Sequence, residues 1–215
     1  MQTEIFKNFT CQKFILGLLE TNSYLLYSED TGEALLIDPA APSKELAALI
    51  KEKSIQPDIY LTHAHADHIA GLEFFCNLLP DSTVYIAKAD EQMLGDPILN
   101  LSSFIFDKPL TFIPKNLQTI KEGDKLTIFN ECPYFTLLPG HTQGGSALVF
   151  EEAVFIGDSL FAGSIGRTDH PGGNLNMLLN SLKERILVLD NRKVFSGHGP
   201  STSIKKEREN NPFFF

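Results

Sequence analysis

The sequence predicts an α+β layered domain, and three observations carry that prediction. The chain has 215 residues, the size of one domain, 1–215, which buries roughly 70% of its unfolded surface and needs no disulfide or metal staple to fold. Short β-branched and aromatic runs alternate with a few helical patterns. Their order is strands, then strand–helix–strand–helix–strand, then strands, then a helix and a strand. That order mixes hairpins with crossovers, unlike a doubly wound sheet.

The strand signals fall at residues 24–27, 34–37, 59–61, 84–87, 125–129, 134–138, 147–150, 153–156 and 194–195. Ser43 is placed to cap a helix through Lys53, with Glu45 in its first turn and Leu46, Leu49 and Ile50 on one face. A second helix is read over 71–79, stopped by Pro80. Asn174 caps the clearest one, whose stripe is Leu175, Leu178, Leu179, Leu182, Ile186 and Leu189. Such stripes are core faces. The 90–115 stretch is the least regular, with Pro97, Pro109 and Pro114 among apolar residues. It reads as a lid segment or as a helix plus turn. The tail, 205–215, is charged up to Asn210 and ends in three phenylalanines, read as an apolar patch or a segment folded on the core.

Composition excludes several functions. There are 18 Lys+Arg against 27 Asp+Glu, a net charge of −9. A phosphate-backbone binder needs a basic surface, so no nucleic-acid partner is expected. No apolar run approaches the ~18 residues of a membrane span, so no membrane partner is expected either. The apolar run 14–19 lacks a cleavage site, and Glu4 interrupts what would be a basic leader, so no signal peptide is read. Cys11, Cys76 and Cys132 are far apart and odd in number. They read as small buried hydrophobes in a reducing compartment, which makes the cytoplasm the expected location.

Chemistry concentrates in the histidines. Three of the six lie in His63-Ala64-His65-Ala66-Asp67-His68, directly after the 59–61 strand. On a helix His63 and His65 would point about 200° apart at ~100° per residue. In an extended turn leaving a strand they face the same way, and Asp67 and His68 then aim at a neighbouring point as the chain coils. His141, Asp158 and His198 also follow strands, each preceded by a glycine. Four strand ends presenting such groups define a cluster at one sheet edge, with room for two adjacent metals. Imidazole and carboxylate are ligands for zinc, and also suit iron or manganese. His170 by itself reads as a loop residue.

These residues, His63-Ala64-His65-Ala66-Asp67-His68 with His141, Asp158 and His198 in order, resemble the signature of the metallo-β-lactamase superfamily. The resemblance implies a four-layer αββα sandwich with metals at one sheet edge. It implies that His63, His65 and His141 bind one divalent ion, that Asp67, His68 and His198 bind a second, and that Asp158 bridges them. Asp38 resembles the superfamily's early acidic position, which hydrogen-bonds the metal loop. The finer resemblance is to single-domain glyoxalase II-like hydrolases, through residues 161–169, Pro171-Gly172-Gly173, Gly197-His198-Gly199-Pro200 and Asn211-Pro212-Phe213. Two departures stand out. Thr142-Gln143-Gly144-Gly145 replaces the more usual Thr-Pro-Gly-Ser. The Gly-His-Glu-Tyr stretch and the glutathione-gripping helical domain of two-domain glyoxalase II enzymes are not seen.

The resemblance implies hydrolysis of a small anionic thioester by a hydroxide shared between two metals, with Asp67 orienting it. A thiolate leaving group needs no dedicated acid. Arg167 is placed to clamp a substrate carboxylate or to pair with Asp169, and Tyr24 to line the pocket or to pack in its strand. The alternative is a mono-iron persulfide dioxygenase, which two His and one Asp would serve. A β-lactamase is disfavoured by the absence of a leader, an RNA nuclease by charge, and a non-catalytic metal-binding module by the completeness of the ligand set.

Overall fold

A computed structural model describes residues 2–215. Two sheets stand face to face. The first holds β1 (Gln2–Ile5), β2 (Thr10–Leu16), β3 (Thr21–Tyr27), β4 (Ala34–Ile37), β5 (Asp58–Tyr60), β6 (Val84–Ala87) and β7 (Leu117–Ile120), in that spatial order. β1 to β4 form an antiparallel meander, and β4 to β7 run parallel. The parallel half needs crossovers. They are supplied by α1 (Lys44–Glu52), by α2 (Ala66–Ile69) with α3 (Leu72–Leu78), and by a 3-10 turn (Lys88–Gly95) with α4 (Ser102–Ile105). The second sheet comprises β8 (Tyr134–Leu137), β9 (Ser146–Val149) and β10 (Ala153–Gly157), then a small hairpin of β11 (Leu160–Phe161) and β12 (Ser164–Ile165) set apart from it. α5 (Leu175–Arg185) crosses over to β13 (Lys193–Ser196), parallel to β10, and β14 (Thr202–Ser203) closes that edge. α6 (Ile204–Asn210) and a 3-10 turn (Pro212–Phe214) end the chain.

The period-two rule explains the four layers. In β4, Leu36 faces α1 and α3, while Leu35 and Ile37 face the other sheet. In β10, Val154 and Ile156 face α5, while Phe155 faces inward. The inter-sheet core is aromatic, with Phe9, Tyr24, Tyr60, Phe129, Phe135, Phe150, Phe155 and Phe195 all buried. Phe155 and Phe195 stack with centroids 4.8 Å apart. The αββα sandwich expected from the resemblance is the architecture observed.

Several local expectations need correction. Residues 125–129 are not a strand. Phe129 and Asn130 take φ of 58° and 57°, the two-residue turn of a tight hairpin. Only isolated bridges, Lys125 with Tyr134 and Ile128 with Glu131, join its arms. Pro133 lies between them and has no N–H to continue the ladder. Leu175 lies outside the core at 45% exposure, because α5 turns it to solvent. Of the cysteines only Cys11 is buried; Cys76 is half-buried and Cys132 exposed, and all three are free thiols. In the 90–115 stretch Met93, Leu94, Leu101 and Ser102 are buried. Asn100 ties it down, donating to the Met93 and Leu110 carbonyls and accepting from the Ala66 amide. In the tail, Phe214 packs against the α5 core, while Phe213 and Phe215 are exposed. Among the described residues no helix is long and apolar enough to cross a membrane.

Candidate metal centre

β5 leads through Leu61 and Thr62 into His63 and His65, and His65 stands at the N-terminus of α2. Asp67 and His68 occupy the first turns of α2. His141 follows β8, Asp158 follows β10 at once, and His198 lies between β13 and β14. The parallel pairing of β10 with β13 delivers Asp158 and His198 to the same edge. All seven predicted residues converge there.

They form overlapping groups. One ligand atom each from His63, His65 and His141 lie within 4.8 Å of one another, as do those of His63, His68 and Asp158, and those of Asp67, His68 and His198. Two ring nitrogens, His65 Nδ1 and His141 Nε2, are 2.9 Å apart. His198 Nε2 is 3.1 Å from Asp67 Oδ2 and 3.4 Å from Asp158 Oδ2. Asp158 sits between the groups, with Oδ1 3.3 Å from His68 Nε2 and Oδ2 3.8 Å from His141 Nε2.

Neighbours fix each group. Asp38, at a left-handed φ of 49°, accepts from the Thr62 amide at 2.8 Å, the Thr62 hydroxyl at 2.7 Å and His68 Nδ1 at 2.8 Å. Its bond to Nδ1 turns His68 Nε2 into the site. Thr21 donates its hydroxyl to Asp67 Oδ2 at 2.8 Å. Asn22 donates to the carbonyls of Ser196 and Gly199, bracketing His198. The Arg167 carbonyl faces His141 Nδ1 at 2.7 Å, which leaves Nε2 for the site. The Arg167 side chain is exposed and pairs in two bonds with Asp169. Tyr24 does not line the opening. It is buried in the inter-sheet core, and its hydroxyl donates to the Ser196 carbonyl at 2.6 Å, because its inward strand face meets Phe155 and Phe195. His170 reaches the rim, its ring 5.6 Å from that of His65.

The donors fit divalent ions. His63 Nε2, His68 Nε2 and Asp158 Oδ1 are buried without a hydrogen-bond partner, and His65 meets its group through Nδ1. Unpaired buried polar atoms are costly, and a cation satisfies them. Burial, aided by the neighbouring imidazoles, holds His63 well below the usual histidine pKa, and burial lowers His65 to about 3. Both are therefore neutral donors. On the other side burial opposes charge on His68, but Asp67, Asp158 and Asp38 outweigh it and raise its pKa well above the ordinary value. Burial likewise opposes charge on His198, yet its bonds to Asp158 and Asp67 raise it to about 9. Asp67 is lowered to about 2 despite burial, chiefly by His68.

This fold and this His/Asp edge define a class of metal-binding αββα proteins. Residues 16–198 match the model of the metallo-beta-lactamase superfamily, and the chain belongs to that family. It is 38% identical over 205 residues to the "Probable metallo-hydrolase YqgX" of Bacillus subtilis (strain 168), covering 92% of this chain and 94% of that one. It is 30% identical over 199 residues to the "Hydroxyacylglutathione hydrolase GloC" of Haemophilus influenzae, covering 86% and 89%. Among solved structures it is similar to the B3 metallo-beta-lactamase BLEG-1, with TM-score 0.86, 37% identity, and 95% and 99% of the two chains covered. It is also similar to TTHA1623 in a di-iron-bound form, with TM-score 0.82, 34% identity, and 94% and 99% covered.

Proposed function

We propose that the protein is a metal-dependent hydrolase that cleaves a small anionic thioester to a carboxylate and a thiol. The observation that carries the reading is the position of Asp158, whose two oxygens face both histidine groups. His63, His65 and His141 would hold one divalent ion, Asp67, His68 and His198 the other, and Asp158 would serve both. Bound divalent ions supply hydroxide at neutral pH and polarise a carbonyl oxygen. Zinc is the proposed metal, since imidazole and carboxylate oxygen are its ordinary donors.

The protein's own groups prepare the site. Thr21 fixes the carboxylate plane of Asp67, and Asp38 fixes the ring of His68. Despite burial, His68 holds the pKa of Asp67 and of Asp158 below the usual carboxylate range, so neither is a proton donor. That suits a leaving group of pKa about 8.5, which departs as a thiolate, better than an amine or alkoxide. The similarity to GloC supports a thioester, and the similarity to YqgX supports hydrolysis more generally.

The test is turnover of a panel of acyl thioesters, hydroxyacyl-glutathione among them, by metal-analysed protein expressed without added metal. Two equivalents of zinc with thioester hydrolysis are expected. One iron with oxygen uptake on a glutathione persulfide, or turnover of β-lactams alone, overturns the reading.

A further inference from the structure

Asp38 anchors the half of the centre that contains His68. The half built from His63, His65 and His141 has a comparable buried carboxylate, Asp90, to which the sequence drew no attention. Asp90 opens the crossover after β6 and is fully buried. Its Oδ2 accepts the Thr142 hydroxyl at 2.7 Å, and its Oδ1 accepts the Gly144 amide at 2.6 Å. Burial pushes the Asp90 carboxyl up, opposed by its bonds to the Thr142 hydroxyl, the Gly144 amide and the Ala64 amide, which lies between His63 and His65. One carboxylate thus touches the loop that follows His141 and faces the turn that carries the other two histidines.

Gly144 marks how close this approach is. A Cβ there would lie 2.6 Å from the Asp90 amide nitrogen and 2.7 Å from Oδ1. Only glycine lets the loop close on the carboxylate. This accounts for part of the unusual Thr142-Gln143-Gly144-Gly145 run, which neither the ligand set nor the substrate reading uses.

We propose that Asp90 is a positioning residue, setting the spacing of the three-histidine group by clamping the Thr142–Gly144 loop against the His63–His65 turn. It touches no metal and no substrate. The inference rests on that group holding a divalent ion and not on the identity of the substrate. Failure of thioester turnover therefore leaves it standing.

The experiment is cobalt(II) and zinc titration of metal-depleted protein against a competing chelator, with the cobalt visible spectrum as a second readout. It is run on the parent, Asp90→Asn, Thr142→Val and Thr142→Ser. Asp90→Asn is expected to weaken one of the two metal equivalents by about 10- to 100-fold, the range for residues that orient ligands, and to alter the spectrum of that equivalent alone. Thr142→Val should do the same in smaller measure, and Thr142→Ser, which keeps the hydroxyl, should restore parental binding. Unchanged affinity in Asp90→Asn, an equal loss of both equivalents, or a Thr142→Ser defect as large as that of Thr142→Val would overturn the proposal. So would a parent protein that binds no metal, an outcome that also removes the metal-dependent reading and is distinguished by the parent titration itself.

Discussion

Gly197 shows how tightly single residues are constrained at the centre. A Cβ at that position would stand 2.1 Å from Asp158 Oδ1 and 2.5 Å from His68 Cε1. Neither neighbour is the free end of a flexible chain, because His68 is buried and the Asp158 Oδ1 atom is buried at the metal edge. Gly197→Ala is therefore expected to lower metal content by tenfold or more, measured by elemental analysis after gel filtration. Asp38→Ala removes the acceptor for Thr62 and for His68 Nδ1. It should weaken metal binding by about 10- to 100-fold, and parental affinity by chelator competition would contradict that assignment. At this scale the seven converging residues were legible, because His-x-His-x-Asp-His and three glycine-preceded residues after strands form a local pattern. Their supports were not. Thr21 reaches Asp67 across 46 positions, and Asp90 reaches Thr142 across 52. The group on His141 Nδ1 is the carbonyl of Arg167, and a backbone atom has no signature in residue type.

Elements differ in how plainly they announce themselves. β3, β4, β9 and β10 are buried along their whole length, and their apolar runs read directly as strands, though the polar Thr21-Asn22-Ser23 start of β3 gives no such signal. β1, β7 and β14 sit at sheet edges, and in β1 no residue is fully buried, so no alternation marks it. β2 hides for a related reason: Ile15 points to solvent at 62% exposure and breaks its pattern. α5 is read well because its cap and its stripe agree. Asn174 accepts from the Met177 amide at 3.0 Å, and Leu178, Leu182 and Ile186 are fully buried. Removing a cap of this kind costs about 1 kcal/mol, whereas emptying a core position costs about 2–5 kcal/mol. Denaturant unfolding of Asn174→Ala and Leu182→Ala should reproduce that order. A Leu182→Ala loss below that of Asn174→Ala would mean that α5 is held by its ends and not by its face.

The whole molecule carries a net charge of −9, and part of its negative charge converges on one sheet edge, so pH and metal act on stability together. In the metal-free protein His198 has a pKa of about 9, above the ordinary ~6.5. Its stabilising contribution is complete below ~6.5 and is lost as pH rises through about 9. Asp67, lowered to about 2 from 3.8, contributes above ~4 and loses that contribution as pH falls through about 2. His63 and His65, held below the ordinary value by burial, lose their stabilising contribution as pH falls below ~6.5, so the metal-free cluster favours the fold most near pH ~6.5. A divalent ion reverses the upper limb, because it must displace the proton from His198 and so binds more tightly as pH rises. Its stabilisation grows with the ratio of free metal to Kd, reaching about 4 kcal/mol at a thousandfold excess. The difference in melting temperature between zinc-loaded and chelator-treated protein should accordingly widen from pH 6 to pH 8.5, as the metal-free form weakens and the loaded form gains. A difference that narrows over the same interval would show that the ion does not compete with the His198 proton, and would remove His198 from the ligand set.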